Sequence, residues 1–398
     1  MKVVIDEKKI DEILDIGIED IFIKENLKKK LLSGKILRVK FGIDPTGPKI
    51  HLGRAIPLRK LRQFQDLGHK VILIVGDFTA TIGDPSDKLE KRPMLTEKEI
   101  KQNMKYYTKQ LGMIIDLKKA EIKYNSKWLK KLNFKEIAEL SESFSLQQMS
   151  ARRNFKDRIE KNEEISLREF LYPLMQGYDS VATKSDVEIG GFDQLFNLKA
   201  GRIIQKHYNM PEQDILTVKM LEGVDGRKMS TSWDNIITIV DEPKDMFGKI
   251  MSIKDELISK YFLLCTDIKE TEIPKSENPR DVKMKLAYEI VKIYHGEKEA
   301  KKAEENFVKT FQKKEIPEEM IEIKINKNET LVDVLIKEKI VSSKGDFRRL
   351  IEEGAITDLD INEKLNNINI ITKPGMHLKI GKRRFVKIIS LKNKKNGS

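Results

Sequence analysis

The chain carries a single cysteine, Cys265, among its 398 residues, which excludes an intrachain disulfide framework. No Cys/His cluster has the spacing of a zinc site, so no protein-bound zinc is expected. Long apolar runs are missing too. The longest clean one is VILIV at 71–75, far short of the roughly 20 residues a membrane span needs. The opening MKVVIDEKKIDEIL is charged within a few residues and has no apolar segment of the signal-peptide kind, so the expectation is a cytoplasmic protein with no membrane partner. No long-period repeat is present, which argues against a solenoid.

What the chain does have is 39% hydrophobic residues beside 35% charged ones, the balance of a soluble globular protein rather than a disordered one. Its length allows two or three domains. The net charge is +13, and residues 331–398 hold 15 Lys/Arg against 8 Asp/Glu. About half of the excess therefore lies in the last sixth of the chain. An uneven basic balance points to a polyanionic partner, nucleic acid or a membrane surface. A lysine-rich solubilising surface explains the charge equally well.

ILRVKFGID at 36–44 reads as a strand of β-formers closed by Asp-Pro and Gly-Pro turn signals. HLGRAIPLRKLRQFQDLGH then spaces Ile56, Leu61, Phe64 and Leu67 at helical intervals before the stop at Gly68. KVILIVGDF is a second, buried strand. A helix near 97–113, a short strand EIKYNS and a helix near 128–140 follow. Ser166 with Glu169 forms a capping-box pattern. Strand SDVEIGG, helix FDQLFNLKAGRIIQKHY and strand ILTVKML repeat the alternation. Strands separated by helices predict a Rossmann-like α/β domain built on a parallel sheet. From about 241 helices dominate, 312–329 looks like a charged linker, and the last 70 residues form a small α+β unit.

In an open α/β sheet, ligands bind beyond the C-terminal strand ends. GIDPTGPKIHLGRA at 42–55 lies there, at the mouth of a helix whose unpaired N–H groups suit phosphate. Gly42, Gly47 and Gly53 permit close approach, Thr46 and His51 offer donors, and Asp44 could fix the loop. Alone, such a stretch is more often an ordinary turn. A second segment, DGRKMSTSWDN at 225–235, places Lys228, Met229, Ser230, Thr231 and Ser232 in a polar loop just past a strand. Tyr172, Gln176 and Asp179 stand at i, i+4 and i+7, on one helix face. Leu171, Leu174, Met175 and Val181 surround them, so this polar trio needs partners that a ligand can provide.

HLGR paired with KMSTS about 175 residues later resembles the two-part signature of class I aminoacyl-tRNA synthetases. GDFTATIGDPSDKLEKRP at 76–93 and EFLYPLMQGYDS at 169–180 are similar to segments of the tyrosyl-tRNA synthetase family, in its order and spacing, and the likeness covers nearly the whole chain. The resemblance implies a tyrosine–tRNA ligase. ATP activates L-tyrosine to tyrosyl-adenylate and pyrophosphate, with Mg2+ accompanying the nucleotide, and the tyrosyl group then passes to the 3′ end of its tRNA. It implies that Tyr172 and Gln176 meet the α-ammonium with Asp84, and that Asp179 accepts from the phenol hydroxyl. Lys40 sits where the family places either a tyrosine that meets the phenol or a lysine. Gly190 and Gly191 admit the adenylate, Asp193 suits the ribose hydroxyls, and Gln194 reaches the carboxylate region. Lys88 and Arg92 are placed for pyrophosphate.

The resemblance further implies a catalytic domain at 1–240 with an inserted segment at about 125–165, a helical anticodon-binding domain at 241–325 and a small basic RNA-binding domain at 326–398. A homodimer through the insertion is implied as well. In the last domain Lys344, Arg348 and Arg349 share a helix, and Lys382, Arg383 and Arg384 gather in a hairpin. Such basic groups give affinity for phosphate with little sequence information.

Four positions depart from the family. Arg54 replaces the second histidine of the usual H-I-G-H element, and Thr231 the second lysine of K-M-S-K-S. Phe192 stands where a small or hydroxyl residue is common, and Lys40 follows one branch only. Two further readings stay open: a catalytically silent paralogue that binds RNA, and a tryptophanyl or other class I enzyme. The intact tyrosine-pocket residues speak against both.

Overall fold

The computed structural model describes residues 3–86, 95–312, 320–326, 329–361, 363–381 and 384–390. Two compact units emerge, Met1–Glu297 and Lys298–Ser398. The boundary between them falls inside the segment expected to bind the anticodon.

The first unit holds a six-stranded sheet: β1 (Ile18–Phe22), β2 (Arg38–Ile43), β3 (Lys70–Val75), β4 (Glu121–Tyr124), β5 (Val187–Gly191) and β6 (Asp214–Val218), in the order β1-β6-β5-β2-β3-β4. Five of these strands run parallel and β1 pairs antiparallel with β6 at the edge. The expected parallel α/β sheet is therefore present. Its central strands are buried nearly throughout, with Val71, Ile72 and Leu73 at 0% exposure, as a sheet covered on both faces requires. β1 was not expected from the sequence. IEDIF mixes two acids into five residues and exposes both, so it lacks the apolar run that marked the interior strands.

Strand order reverses between β2 and β5. β2 pairs with β3 as far as Ile43 opposite Val75, and β5 pairs with β6 as far as Gly191 opposite Val218. Between β2 and β5 only Val39–Val187 and Lys40–Glu188 are in register. Beyond them the two strands part, and the crevice opens at the switch point where ligands bind in such sheets.

Two helices flank this opening. Leu52–Asp66 starts from His51, whose ring Nδ1 accepts from the Arg54 N–H at 3.3 Å as an N-cap. Leu167–Thr183 runs through Pro173 and packs against Leu195–His207. Gly177 permits that approach, since a Cβ there would lie 2.8 Å from Ile204 Cδ1 and 3.1 Å from the Ala200 carbonyl. The Ser166 N–H donates to Glu169 at 3.1 Å, as the capping pattern implied, and Glu169 also forms a buried ion pair with Arg158 at 2.6 Å. The helix expected near 128–140 is instead two short ones, Ser126–Leu129 and Phe134–Ser141. Asn133 starts the second as its cap, accepting from the Glu136 N–H at 3.0 Å. Helices Pro243–Met251, Ile258–Cys265 and Pro279–His295 follow the sheet within this unit, as expected from about 241 onward.

The second unit contains a five-stranded sheet of β7 (Ile321–Ile325), β8 (Ile356–Asp358), β9 (Glu363–Lys364), β10 (His377–Ile380) and β11 (Arg384–Ser390), ordered β7-β11-β10-β8-β9. Its core joins Ile323 and Ile325 to Leu335, Phe347, Leu378 and Ile388. β7 corrects the linker reading of 312–329. IEIKI alternates in sequence, burying Ile323 and Ile325 and exposing Ile321, Glu322 and Lys324, and it pairs in parallel with β11. Lys344, Arg348 and Arg349 lie exposed on the helix Lys344–Glu352. Arg384 opens β11 and donates to the Ile340 carbonyl. Lys382 and Arg383 lie outside the described residues. No described helix is long and apolar enough to cross a membrane.

Candidate active site

A cavity of about 430 Å³ occupies the crevice between β2 and β5. Its walls carry both sequence signatures, which the fold ties together. The Leu52 N–H donates to the Ile237 carbonyl at 2.8 Å, and the Ile239 N–H to that of Ile50 at 2.9 Å. The Gly53 N–H reaches Met229 Sδ at 3.4 Å. The helix start and the 225–235 loop thus form one wall although 176 positions separate Gly53 from Met229.

Gly42, Asp44, Thr46, His51, Gly53 and Arg54 line the cavity from the first signature, and Lys228, Met229, Ser230 and Thr231 from the second. A Cβ on Gly42 would meet nothing within 4 Å, so its missing side chain leaves open space. Gly76 serves the opposite purpose. A Cβ there would sit 1.9 Å from Asp44 Oδ1, so only glycine lets that carboxylate take the Thr79 hydroxyl at 2.8 Å and the Tyr172 hydroxyl at 2.9 Å.

His51 is 6% exposed. Burial pushes its imidazole down to about 3, and the Arg54 and Lys228 charges act in the same direction. The ring is therefore neutral at pH 7. Because Nδ1 accepts from the Arg54 N–H, the proton sits on Nε2, which makes His51 a donor. Its folded pKa lies below the ordinary 6.5, so its contribution to stability is full above pH 6.5 and is lost as pH falls from there toward 3. The His51 imidazole is expected to show no titration between pH 5 and 8 in an NMR pH series; a midpoint inside that window contradicts the neutral assignment.

Arg54 meets no carboxylate among the described residues. Its guanidinium donates to the Tyr107 hydroxyl at 2.8 Å and to Thr46 Oγ1 at 2.7 Å. Two neutral partners fix the fork at the cavity wall without offsetting its charge. Lys228 pairs with Asp193 at 3.0 Å, both partly exposed. Such a pair is worth about 0–1 kcal/mol, so phosphate can claim the lysine at small cost. Thr231 is exposed at the rim, and the Phe192 side chain is 43% exposed. Lys88 and Arg92 lie outside the described residues.

Tyr172, Gln176, Asp179, Asp84 and Gln194 all line the same cavity, as do Gly190, Gly191 and Asp193. Asp179 Oδ1 accepts from Trp128 Nε1 at 2.7 Å, and Oδ2 from Asn125 Nδ2 at 3.4 Å. Burial nevertheless raises its carboxyl to about 7. Burial and the neighbouring Asp44 and Asp84 charges raise the Tyr172 phenol, keeping it a neutral hydroxyl. Asp84 Oδ2 accepts from Gln194 Nε2 at 2.7 Å, and Oδ1 from the Ser86 N–H at 2.9 Å.

Lys40, expected among the tyrosine-binding residues, is placed apart from them. It does not line the cavity. Its ammonium donates to Ser180 Oγ at 2.6 Å and the Gln176 carbonyl at 3.2 Å, and it pairs with Glu188 at 3.2 Å. Both charged side chains are 1% exposed. Lys40 belongs to a layer behind the pocket wall.

Sequence reading missed Asn125, Trp128, Tyr107, Asn197, Arg152 and Glu188. Arg152 spans Ser86 Oγ and Asn197 Oδ1 at 3.2 Å each, and Asn197 Nδ2 reaches Gln194 Oε1 at 3.1 Å. None of these residues sits within a motif, and long-range packing alone brings them to the site. Only Glu188 left a local sign, an acid inside the otherwise apolar, glycine-ended strand VEIGG. Among the described residues no group of three or more His, Cys, Asp or Glu could hold a metal ion.

The sequence model of tRNA synthetases class I (W and Y) matches residues 33–312. A tyrosine–tRNA ligase of Thermotoga maritima is 46% identical over 96% of this chain and 98% of its own length. That of Aquifex aeolicus is 44% identical over 95% and 98%. Among solved structures, a C-terminally truncated mitochondrial tyrosyl-tRNA synthetase of Aspergillus nidulans superposes with a TM-score of 0.64 at 22% identity, covering 76% of this chain and 94% of that one. The Archaeoglobus fulgidus tyrosyl-tRNA synthetase complexed with L-tyrosine gives 0.60 at 19% identity, over 75% and 100%. At that identity the structures speak for the fold, while the near-full-length sequence matches decide the family: the chain belongs to the tyrosine–tRNA ligases, within the class I tRNA synthetases.

Proposed function

We propose that this chain activates L-tyrosine with ATP and transfers it to the 3′ end of its tRNA, using the cavity between β2 and β5 for both steps. The observation that carries the reading is the convergence on one crevice of a phosphate-suited helix start and a buried carboxylate, Asp179, with two donors on it.

The phenol end of tyrosine fits toward Asp179, where the substrate hydroxyl becomes a third donor. The α-ammonium fits among Tyr172, Gln176 and Asp84. The Tyr172 hydroxyl spends its proton on Asp44 and so keeps lone pairs for an ammonium. A tyrosine carboxylate oxygen attacks the α-phosphorus, the bond to the bridging oxygen breaks, and pyrophosphate leaves. No side chain has to move a proton in that step, so catalysis is positioning plus stabilisation of phosphate charge. His51 Nε2–H, the Thr46 hydroxyl, Arg54 and Lys228 supply donors and charge on that side. Mg2+ enters with the triphosphate as part of the substrate and offsets its charge. Asp193 is released to the ribose hydroxyls when phosphate takes Lys228. In the second step a terminal ribose hydroxyl of the tRNA attacks the tyrosyl carbonyl and AMP leaves.

The helices from 241 serve anticodon binding in this reading, the last 73 residues serve RNA binding, and the chain works as a homodimer through the 125–165 insertion. The exposed Phe134 and Leu146, at 88% and 68%, support that surface. Replacing Lys344, Arg348 and Arg349 together by Ala is expected to weaken tRNA binding and to flatten its salt dependence by roughly 0.7–0.9 for each phosphate no longer neutralised. Tyrosine activation stays unchanged. Filter binding across a salt series reads this, and an unchanged slope contradicts the assignment.

A further inference from the structure

Behind the pocket wall lies a buried polar layer that touches none of the cavity. Glu188 on β5 and Lys40 on β2 face each other across the last registered pair before the strands separate, and their charges meet at 3.2 Å. The same carboxylate accepts from Gln176 Nε2 at 3.1 Å, from Ser180 Oγ at 3.5 Å and from Gln213 Nε2. Lys40 in turn holds the Gln176 carbonyl and Ser180 Oγ.

A terminal amide has two ends of nearly equal size and opposite hydrogen-bonding character. Which end faces a ligand is decided by what holds the other. Against an acceptor-only carboxylate, only the nitrogen end of Gln176 fits, because its oxygen would oppose Glu188 Oε1. The amide oxygen is then the end left for the cavity that Gln176 lines, and no described residue donates a hydrogen bond to it. An α-ammonium is a pure donor and needs that oxygen; a reversed amide would set NH2 against NH3+. We infer that Glu188, held in place by Lys40, is a positioning residue that fixes the Gln176 amide for recognition of the substrate's α-ammonium without touching substrate. This inference rests on the tyrosine-pocket reading above.

The test is equilibrium binding of two ligands that differ only in the ammonium: tyramine, and 4-ethylphenol, which lacks it. Wild type is expected to prefer tyramine. Glu188→Gln keeps volume and leaves an acceptor for Lys40, but no longer dictates which end of Gln176 it meets. Measured at about pH 8.5, where Asp179 is ionised with or without the Glu188 charge that helps to raise its carboxyl, it is expected to lower tyramine affinity about tenfold, the loss of roughly one hydrogen bond to a charged group, with 4-ethylphenol affinity unchanged. In a Gln176→Met background, Glu188→Gln is expected to add nothing. If Glu188→Gln fails to fold, the double substitution Lys40→Met with Glu188→Gln, which removes both buried charges, takes its place in the same measurements. Equal losses for both ligands overturn the inference, as does no loss for either. A tyramine loss of the same size with and without Gln176 also overturns it, since Glu188 then acts by its charge alone. If wild type binds neither phenol, the pocket reading itself falls.

Discussion

Asp179→Asn is expected to lower kcat/KM for tyrosine activation by about 10²-fold, the cost of a hydrogen bond to a charged group together with a misplaced donor. Phenylalanine activation should change far less, so the preference for tyrosine collapses. The reason is geometric. Trp128 Nε1 and Asn125 Nδ2 already donate to the two carboxylate oxygens, and a substrate hydroxyl is a further donor. Asparagine offers one acceptor oxygen and turns an NH2 toward one of those donors. Burial raises the Asp179 carboxyl to about 7, so tyrosine affinity should weaken as pH falls through that value, and the variant should lose this dependence. Stability carries the opposite sign. With a folded pKa above the ordinary 3.8, the group stabilises the free protein most below that value, and this contribution is lost as pH rises through about 7. Asp179→Asn should therefore melt no lower than wild type at pH 8. Amino-acid-dependent pyrophosphate exchange and a melting curve check both halves. A variant that unfolds early and loses tyrosine and phenylalanine activity alike contradicts the role.

The second large effect concerns Arg54. Arg54→Met is expected to reduce the rate of adenylate formation by about 10²–10³-fold, the usual cost of one transition-state contact, while tyrosine affinity stays near wild type. The Tyr107 and Thr46 hydroxyls anchor the guanidinium without neutralising it, which is what a phosphate-facing charge requires. Arg54 and Thr231 both line the cavity, where the family more commonly places histidine and lysine. If the two departures compensate each other, Arg54→His alone loses activity and Arg54→His with Thr231→Lys regains much of it. Single-turnover adenylate formation resolves this. Unchanged activation in Arg54→His overturns the compensation, and a double variant no better than the single one does the same.

The parallel sheet could be read from the sequence because its interior strands are short runs rich in β-formers, KVILIV the plainest, between helices of regular spacing. β1 could not, since IEDIF sets its two acids side by side and breaks any alternation; β7 does alternate, but over only five residues within a charged stretch, too short a run to stand out. The cavity wall was legible where ligand chemistry demands particular residues at fixed spacing: His51 with Arg54, the 228–231 loop, and the Tyr172, Gln176, Asp179 face. The supporting layer was not. Trp128 lies 51 positions from Asp179 and Lys40 lies 136 from Gln176, so only the folded sheet discloses those pairs. Lys40 shows the limit of resemblance: it stands at a position expected to serve the tyrosine pocket, yet its ammonium does not line the cavity and pairs with Glu188.

ATP–pyrophosphate exchange with the full-length chain against a panel of amino acids bears on the whole reading at once. Exchange is expected with tyrosine, weakly or not at all with phenylalanine, and not with tryptophan. No exchange with any amino acid, alongside retained tRNA binding, would show a silent RNA-binding relative and contradict the proposed chemistry.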